Sequence, residues 1–216
     1  MSARITAPRE LQPVSFAFSS ENVKKAKAII AKYPAGRQAS AVMPLLDIAQ
    51  RQQEGNWVSI AAMNVIADML QMPYIKVYEV ATFYTMYNLA PVGKYLLQIC
   101  RTTPCWLRGS DEVTDAICSH LQIGMDETTA DGLFTAMEVE CLGGCVNAPV
   151  VQINDDFYED LDAKNVVTVL DSLKSGKGLP MGSQIGRQTS APIGVAANDA
   201  EPAAKKPTIR KKKPDA

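Results

Sequence analysis

The chain has 216 residues and a net charge of −1, with 47% hydrophobic and 21% charged residues. This composition is typical of globular proteins and excludes a wholly disordered chain, a collagen-like chain and a small disulfide-dense secreted protein. The charge balance argues against a protein built to coat nucleic acid. The sequence contains no apolar run of the roughly 18 residues that a membrane-spanning helix needs, so we expect no direct membrane span.

Residues 1–16, MSARITAPRELQPVSF, form an N-terminal extension without an apolar core of signal-peptide length. We therefore expect a protein that is not secreted. A bacterial cytosolic protein or an organellar protein that has already been processed both fit this stretch.

Residues 17–90 show helical periodicity. Apolar residues recur at helical spacing in four runs, which predict helices starting near Ser20, Val42, Val58 and Lys76. The third run is apolar on most of its sides, which is typical of a buried helix. The segment contains no His, no Cys and no phosphate-binding loop, so we interpret it as a helical bundle that serves as a docking domain.

Residues 91–176 have a different pattern, which predicts a small α/β domain. The predicted elements are a strand at 95–99, a loop at 100–105, a helix from Ser110, a strand at 134–140, a hairpin at 149–158 and a helix at 165–173. Together with the first half, this gives an α+β/α/β protein in which a helical bundle precedes a domain compatible with a thioredoxin-like fold.

The final segment, residues 177–216, is rich in Ala, Pro, Gly and Ser, has no aromatic residue and carries a net charge of +5. Such a composition predicts disorder, because little apolar surface is available to offset the entropy of ordering. Its last residues, KKPTIRKKKPDA, fit either a solvated tail or a contact with anionic lipid or an acidic partner. We expect that deletion of 177–216 leaves the folding of the preceding residues intact.

Four of the five cysteines form two pairs. Cys100 and Cys105 are spaced C-x4-C, and Cys141 and Cys145 are spaced C-x3-C. Each pair follows a predicted strand, and parallel strands of one sheet place their following loops at the same edge. The four thiols are therefore expected to converge, and four thiolates favour an iron–sulfur cluster or zinc.

Three types of site are compatible with these cysteines. A [2Fe–2S] cluster takes four thiolates, and the pattern favours it. A structural zinc site remains open, although zinc sites often use C-x2-C pairs. Thiol–disulfide chemistry usually uses C-x-x-C at a helix start, which neither pair has.

Two glycines lie between Cys141 and Cys145, whereas Cys118 and His120 stand apart on a predicted helix. Gly143 and Gly144 lack Cβ atoms and so allow backbone N–H groups to approach the sulfur atoms closely. Cys118 lies among apolar residues of a predicted helix, and we expect a small buried residue there. We expect His120 to be a surface residue near a helix end and not a metal ligand.

Two stretches, CRTTPCWLRG at 100–109 and EVECLGGCVNAP at 138–149, resemble the thioredoxin-like [2Fe–2S] ferredoxin family. Within it, VYEVATFYTM at 77–86 and PVGKY at 91–95 are similar to the pattern of the 24 kDa (E) subunits of NADH:ubiquinone oxidoreductase, respiratory complex I. The resemblance covers about residues 17–176, and the basic C-terminal segment departs from it.

The resemblance implies that Cys100, Cys105, Cys141 and Cys145 ligate one [2Fe–2S] cluster. It also implies an oxidoreductase subunit without a catalytic site of its own, which exchanges one electron with FMN on a flavin- and NADH-binding partner subunit. Other peripheral-arm subunits would be further partners, in a proton-translocating complex on the cytoplasmic side of a bacterial inner membrane or the matrix side of the mitochondrial one.

Two alternatives remain at this point. Equivalent subunits occur in NAD-linked hydrogenases and formate dehydrogenases, and a zinc-binding assembly protein would use the same cysteines. The sequence contains no G-x-G-x-x-G motif after a strand, so we expect the isolated chain to be inactive toward NADH.

Overall fold

The computed structural model describes residues 6–192. The α-helices are α1 (Ser20–Ile30), α2 (Val42–Gln52), α3 (Ile60–Leu70), α4 (Tyr74–Phe83), α5 (Thr103–Leu107), α6 (Ser110–Leu121) and α7 (Ala163–Lys174). The strands are β1 (Tyr95–Cys100), β2 (Glu127–Thr128), β3 (Phe134–Val139), β4 (Val151–Ile153), β5 (Asp156–Glu159) and β6 (Gly182–Ser183).

The strands form a mixed sheet in the order β2-β3-β1-β4-β5-β6. Strands β2 and β3 are antiparallel, β4 and β5 form an antiparallel hairpin, and β5 and β6 are parallel. In the hairpin, Val151 lies opposite Tyr158 and Ile153 opposite Asp156. Its turn contains Asn154 at a φ of 55°, a left-handed conformation that Asn adopts more readily than most residues.

The chain forms two compact units. One contains the residues up to 98 together with 118–138, and the other contains 99–117 and the residues from 139 onward. These units do not coincide with the predicted domains, 17–90 and 91–176, because the first unit also takes in residues 118–138. The predicted division into domains therefore stays a prediction.

The first unit has an apolar core to which the first four helices contribute. Its fully buried large side chains include Leu45, Leu46, Met63, Ile66 and Tyr87. Leu45 and Leu46 lie on α2, and Met63 and Ile66 lie on α3, because each helix buries one face in this core.

The helices of the first half start within two residues of the predicted positions. The Ser59 side chain accepts a hydrogen bond from the backbone N–H of Ala62, so α3 begins at Ile60 and not at Val58. The fourth helix was expected to reach Tyr87 but ends at Phe83, where Tyr84 turns to an extended backbone. This early end leaves Tyr87 outside the helix, in the core.

The second half shows three differences from the predicted elements. Residues 100–105 were predicted as a loop, but Cys105 lies in the short helix α5. Pro104 occupies the first turn of this helix, where its missing N–H leaves no intrahelical bond unmade. The two-residue strands β2 and β6 were not predicted, because two residues are too short for an alternating pattern to be detected.

Part of the segment predicted to be disordered has structure. Residues 177–192 include β6, and the side chain of Arg187 is buried there. Residues 193–216, which include the basic cluster, lie outside the described residues. Within residues 6–192, no helix is long and apolar enough to cross a membrane.

Tyr87 provides a test of the first unit's core. Its hydroxyl donates a 2.9 Å hydrogen bond to the Met43 carbonyl oxygen, and burial, followed by the charge of Asp47, raises the pKa of Tyr87 to about 12. Tyr87→Phe should lower the free energy of unfolding at pH 7 by about 1 kcal/mol, because one buried carbonyl loses its partner.

The difference in free energy of unfolding between wild type and Tyr87→Phe should narrow above about pH 10, the pKa of tyrosine in an unfolded chain. Between about pH 10 and the folded pKa, Tyr87 ionises only when the wild type unfolds, so the wild type loses stability there and the variant does not. Urea unfolding at both pH values measures the effect, with Tyr84→Phe at a more exposed position as the control. If the stability difference between wild type and Tyr87→Phe stays constant with pH, the pKa of Tyr87 is not raised in the folded protein.

Candidate metal centre

All four paired cysteines lie in the second unit, in two loops that follow neighbouring strands. Cys100 is the last residue of β1, and Cys105 lies in α5. Cys141 follows β3 after one intervening residue, and Cys145 opens a short 3-10 turn, Cys145–Asn147. Strand β3 is next to β1 in the sheet, so both loops leave neighbouring strands.

The two pairs differ in their exposure to solvent. Cys100 and Cys105 are each only 2% exposed and pack against an apolar wall formed by Leu142, Ala148, Val150 and Phe157. The Sγ atoms of Cys141 and Cys145 are 3.5 Å apart, and both residues are exposed. One pair is therefore anchored in a small core, and the other lies at the surface.

The Thr102 hydroxyl links the two loops. Its Oγ1 atom lies 3.3 Å from the Cys100 Sγ atom, and it also hydrogen-bonds the Cys141 thiol of the other loop. Backbone groups add to these contacts, since Leu142 hydrogen-bonds Cys100 and Gly143 hydrogen-bonds Cys141. Thr102 lies in the CRTTPCWLRG motif, but its role could not be predicted from the sequence, because the contact with Cys141 depends on how the two loops meet.

In each pair, one thiol has a lowered pKa and the other a raised pKa. Burial opposes ionisation of Cys100, but hydrogen bonds from Thr102 and Leu142 outweigh it and lower the pKa of Cys100. Burial, followed by the hydrogen bond with Cys100, raises the pKa of Cys105 to about 12. The first thiol of the pair is thus the more acidic of the two.

The exposed pair behaves in the same way. A hydrogen bond from the Gly143 backbone, followed by the contact with Cys145, lowers the pKa of Cys141. The hydrogen bond with Cys141 is in turn the largest cause of the raised pKa of Cys145. Each pair therefore combines a thiol of lowered pKa with a thiol of raised pKa.

The two positions between Cys141 and Cys145 that carry glycine favour it for different physical reasons. Gly143 has a φ of +84°, in the left-handed region that disfavours side chains. At Gly144, a Cβ atom would lie 3.1 Å from a methyl carbon of Val150, so the close packing leaves little room for a side chain.

Cys118 and His120 lie in the first unit, whereas the paired cysteines lie in the second. Cys118 was expected to be buried, but it is only partly buried, and its Sγ atom lies 3.8 Å from the Sδ atom of Met125. His120 is exposed in the last turn of α6, which confirms its prediction as a surface residue near a helix end.

The donor set fits a binuclear cluster. In the part of the chain that the structure describes, no three His, Cys, Asp or Glu side chains have the geometry to hold a single metal ion. A [2Fe–2S] cluster does not need such a group, because each of its irons takes two protein ligands. Two pairs of soft thiolates, with backbone and hydroxyl donors around them and an apolar wall on one side, meet that requirement.

A family model for "thioredoxin-like [2Fe-2S] ferredoxin" matches residues 26–174 and so includes all four paired cysteines. The chain belongs to this family. The resemblance deduced from the cysteine motifs is thus confirmed, and the mixed sheet flanked by helices is the corresponding fold.

Curated relatives extend this result. The E subunit of the NADH-quinone oxidoreductase of Rickettsia typhi is 58% identical over 148 residues, which cover 68% of this chain and 86% of the relative. The mitochondrial NADH dehydrogenase [ubiquinone] flavoprotein 2 of Dictyostelium discoideum is 48% identical over 175 residues, 81% of this chain and 70% of the relative.

The fold is also similar to part of a solved structure. A crystal structure of an NAD+-reducing [NiFe]-hydrogenase in the H2-reduced state aligns with a TM-score of 0.53 and 20% identity. The alignment covers 63% of this chain but only 23% of the hydrogenase chain. At this identity the likeness concerns the fold alone.

The positive φ of Gly143 leads to a testable prediction about the loop that contains Cys141 and Cys145. Gly143→Val should strain the backbone between Cys141 and Cys145 by about 1–2 kcal/mol and lower the iron bound per chain after reconstitution. Gly143→Asn is the matched control, because Asn tolerates this conformation better, and it should retain more iron than Gly143→Val. Equal iron contents in the two variants would show that the backbone conformation is unimportant.

Proposed function

We propose that this chain is the [2Fe–2S] electron-transfer subunit of the NADH-oxidising part of a membrane-bound NADH:quinone oxidoreductase. The observation that carries the proposal is the meeting of two cysteine pairs in one unit of a chain that belongs to a [2Fe–2S] ferredoxin family. The names of the curated relatives support this host complex. When bound, the cluster would supply one-electron redox chemistry, for exchange with the FMN of a partner subunit.

Cys100, Cys105, Cys141 and Cys145 would be the four ligands of the cluster. Thiols bind iron as thiolates, so the four cysteines have to release their protons on binding. The lowered pKa values of Cys100 and Cys141 provide one thiolate per pair at less cost. Cys105 and Cys145 would then lose their protons to solvent as the metal replaces them.

The hydrogen bonds around the sulfur atoms would tune the reduction potential. Donors that point at thiolate sulfur stabilise negative charge, and reduction adds negative charge to the site. The Thr102 hydroxyl and the backbone groups of Leu142 and Gly143 therefore favour the reduced state. The apolar wall beside Cys100 and Cys105 keeps water from one side of the site.

Exposed apolar side chains beside two of the ligands support a docking surface for a partner. Trp106 and Leu107, which follow Cys105, are 56% and 69% exposed, and Val146, which follows Cys145, is 67% exposed. Apolar side chains grouped at a surface are characteristic of protein–protein contacts. A flavin- and NADH-binding subunit docked there would approach the exposed ligand pair, and the first unit offers a further apolar surface on α4 to other subunits.

The chain would act only within the complex. FMN and NADH would be bound by the partner, and proton translocation would belong to the whole assembly. We place the subunit on the cytoplasmic side of a bacterial inner membrane, or on the matrix side in a mitochondrion. Isolated protein should not oxidise NADH.

Metal analysis of anaerobically purified protein tests the cluster. We expect about two irons and two acid-labile sulfides per chain, and an EPR signal from one unpaired electron after reduction with dithionite. About one zinc per chain, without sulfide and without a signal, would show a structural zinc site and contradict the proposal.

Substitution of single cysteines tests the ligand set. Cys141→Ser should reduce the iron content and the visible absorption strongly, because a hard oxygen replaces a soft thiolate. Cys118→Ser is the control and should leave both unchanged. If Cys118→Ser lost the visible spectrum instead, the assignment of the ligands would be wrong.

The role of Thr102 is tested by the midpoint potential. Thr102→Val removes the hydroxyl but keeps the shape, and it should make the potential more negative by up to about 59 mV, a tenfold change in a one-electron equilibrium. Thr103→Val, at an exposed neighbouring position, should shift the potential much less. An EPR-monitored redox titration measures both, and equal potentials in all three proteins would exclude a tuning role.

Purification from native membranes tests the host complex. We expect the chain to copurify with an FMN-containing subunit and with NADH:quinone oxidoreductase activity. Copurification with a hydrogenase or a formate dehydrogenase would assign the same cluster to a different complex.

A further inference from the structure

The C-terminal segment that was predicted to be disordered includes a structured piece close to one of the proposed cysteine ligands. We define residues 182–191 as the C-terminal strap. This piece begins with β6 and ends at Ala191, whose carbonyl oxygen accepts a 2.8 Å hydrogen bond from the Nε atom of Arg187.

The strap is attached to the edge of the sheet. Gly182 pairs with Tyr158 and Ser183 with Glu159, in parallel orientation. The pairing continues beyond β6, since the backbone N–H of Gln184 donates a 2.9 Å hydrogen bond to the Glu159 carbonyl oxygen. The strap is therefore an added edge strand followed by a turn, which lies at the end of β5.

A buried ion pair then fixes the turn. Arg187 Nη1 lies 3.0 Å from Asp160 Oδ1, and the two side chains are only 9% and 2% exposed. The other carboxylate oxygen of Asp160, Oδ2, is buried without a hydrogen-bond partner among the described residues. Because a buried charge without its countercharge is strongly unfavourable, Asp160 depends on the strap for neutralisation.

The strap also reaches the turn that begins at Cys145. The Asn147 side chain donates 2.6 Å hydrogen bonds from Nδ2 to the Thr189 carbonyl oxygen and to Glu159 Oε2. The Asn147 carbonyl oxygen accepts a 2.7 Å bond from the backbone N–H of Asp160, and Arg187 Nη1 lies 3.4 Å from the Val146 carbonyl oxygen. Two of the three residues of the 3-10 turn Cys145–Asn147 thus contact the strap or its ion pair.

We propose that the C-terminal strap positions Cys145, so that this ligand stays in place to hold the cluster. Arg187 in the strap and Asn147 in the turn that begins at Cys145 are the positioning residues. The inference rests on the proposed cluster. It adds a role for a segment outside residues 26–174, the range that the family model matches.

The exposed position of Cys145 gives the strap this role. Cys100 and Cys105 are held by burial in an apolar wall, but Cys145 is exposed and has no such anchor. Its own turn is closed by two backbone bonds, from Asn147 N–H to the Gly144 oxygen (3.0 Å) and from Ala148 N–H to the Cys145 oxygen (3.3 Å). The polar contacts of Asn147 and Val146 with the strap supply the remaining restraint.

Two truncations of the full chain separate the strap from the residues that follow it. A chain that ends at Pro192 retains the strap, whereas a chain that ends at Gly178 lacks it. We expect the rate of iron release to an excess of chelator to match wild type in the first and to rise about tenfold or more in the second, the usual scale for loss of a residue that supports a metal ligand.

Point variants test the ion pair itself. Arg187→Met should accelerate iron release, as we expect for the truncation at Gly178. It should also alter the EPR line shape of the reduced protein. Lys177→Met, at an exposed position before the strap, is the matched control and should behave as wild type. Because Arg187→Met leaves Asp160 charged and buried, the double variant Arg187→Met/Asp160→Asn is measured beside it, and Arg187→Lys tests rescue by a conserved charge.

The readouts distinguish positioning from general stability. Faster iron release and a changed EPR signal in both Arg187→Met and the double variant, with partial recovery in Arg187→Lys, would support the proposal. A lowered melting temperature with wild-type iron release and EPR signal would overturn it, because the strap would then only stabilise the fold. If wild-type protein binds no iron, the proposed function fails first, and this outcome is recognisable before any variant is compared.

Discussion

In the proposed cluster site, four thiolates have to lie close together although their negative charges repel one another. Each pair combines a thiol whose pKa is lowered with a partner whose pKa is raised. The Thr102 hydroxyl and the backbone groups of Leu142 and Gly143 favour the thiolate form of Cys100 and Cys141. The positions of the two loops, the glycines between Cys141 and Cys145 and the helix that starts at Thr103 all serve this arrangement, because each places a donor or a thiol next to a neighbouring sulfur.

One cysteine pair is buried and the other is exposed, and this difference suits the proposed function. An electron carrier needs one side that is fixed and dry and another that a redox partner can approach. Cys100 and Cys105 lie against the apolar wall, while Cys141 and Cys145 lie at the surface beside exposed apolar side chains. If all four ligands were buried, the distance to a docked partner would increase. If all four were exposed, water and oxidants would reach every sulfur atom.

Much of this arrangement could be predicted from the sequence, because its signals are local. Apolar strands that end at a cysteine, and glycines between two cysteines, have direct structural consequences. The misassigned parts depend on contacts that are distant in the chain or on very short elements. Helix α5 was predicted as a loop because five residues are too few for helical periodicity to show, although Pro104 suits the first turn of a helix. The strap was missed because average composition over 40 residues, 177–216, conceals ten residues that are held by pairing with β5 and by an ion pair with Asp160, both distant in the chain.

The same division of burial explains why a strap would be needed at all. A ligand that must stay accessible cannot be fixed by packing around its own side chain, so its restraint has to act through the neighbouring backbone. The 3-10 turn at Cys145 has two faces that suit this purpose, since Val146 is exposed and Asn147 is buried. The exposed face is free to contact a partner, while the buried face is tied by hydrogen bonds to Thr189 and Glu159. Holding the turn from its buried face would keep the sulfur in place without covering it, and this geometry would reconcile a firmly held ligand with an open path for the electron.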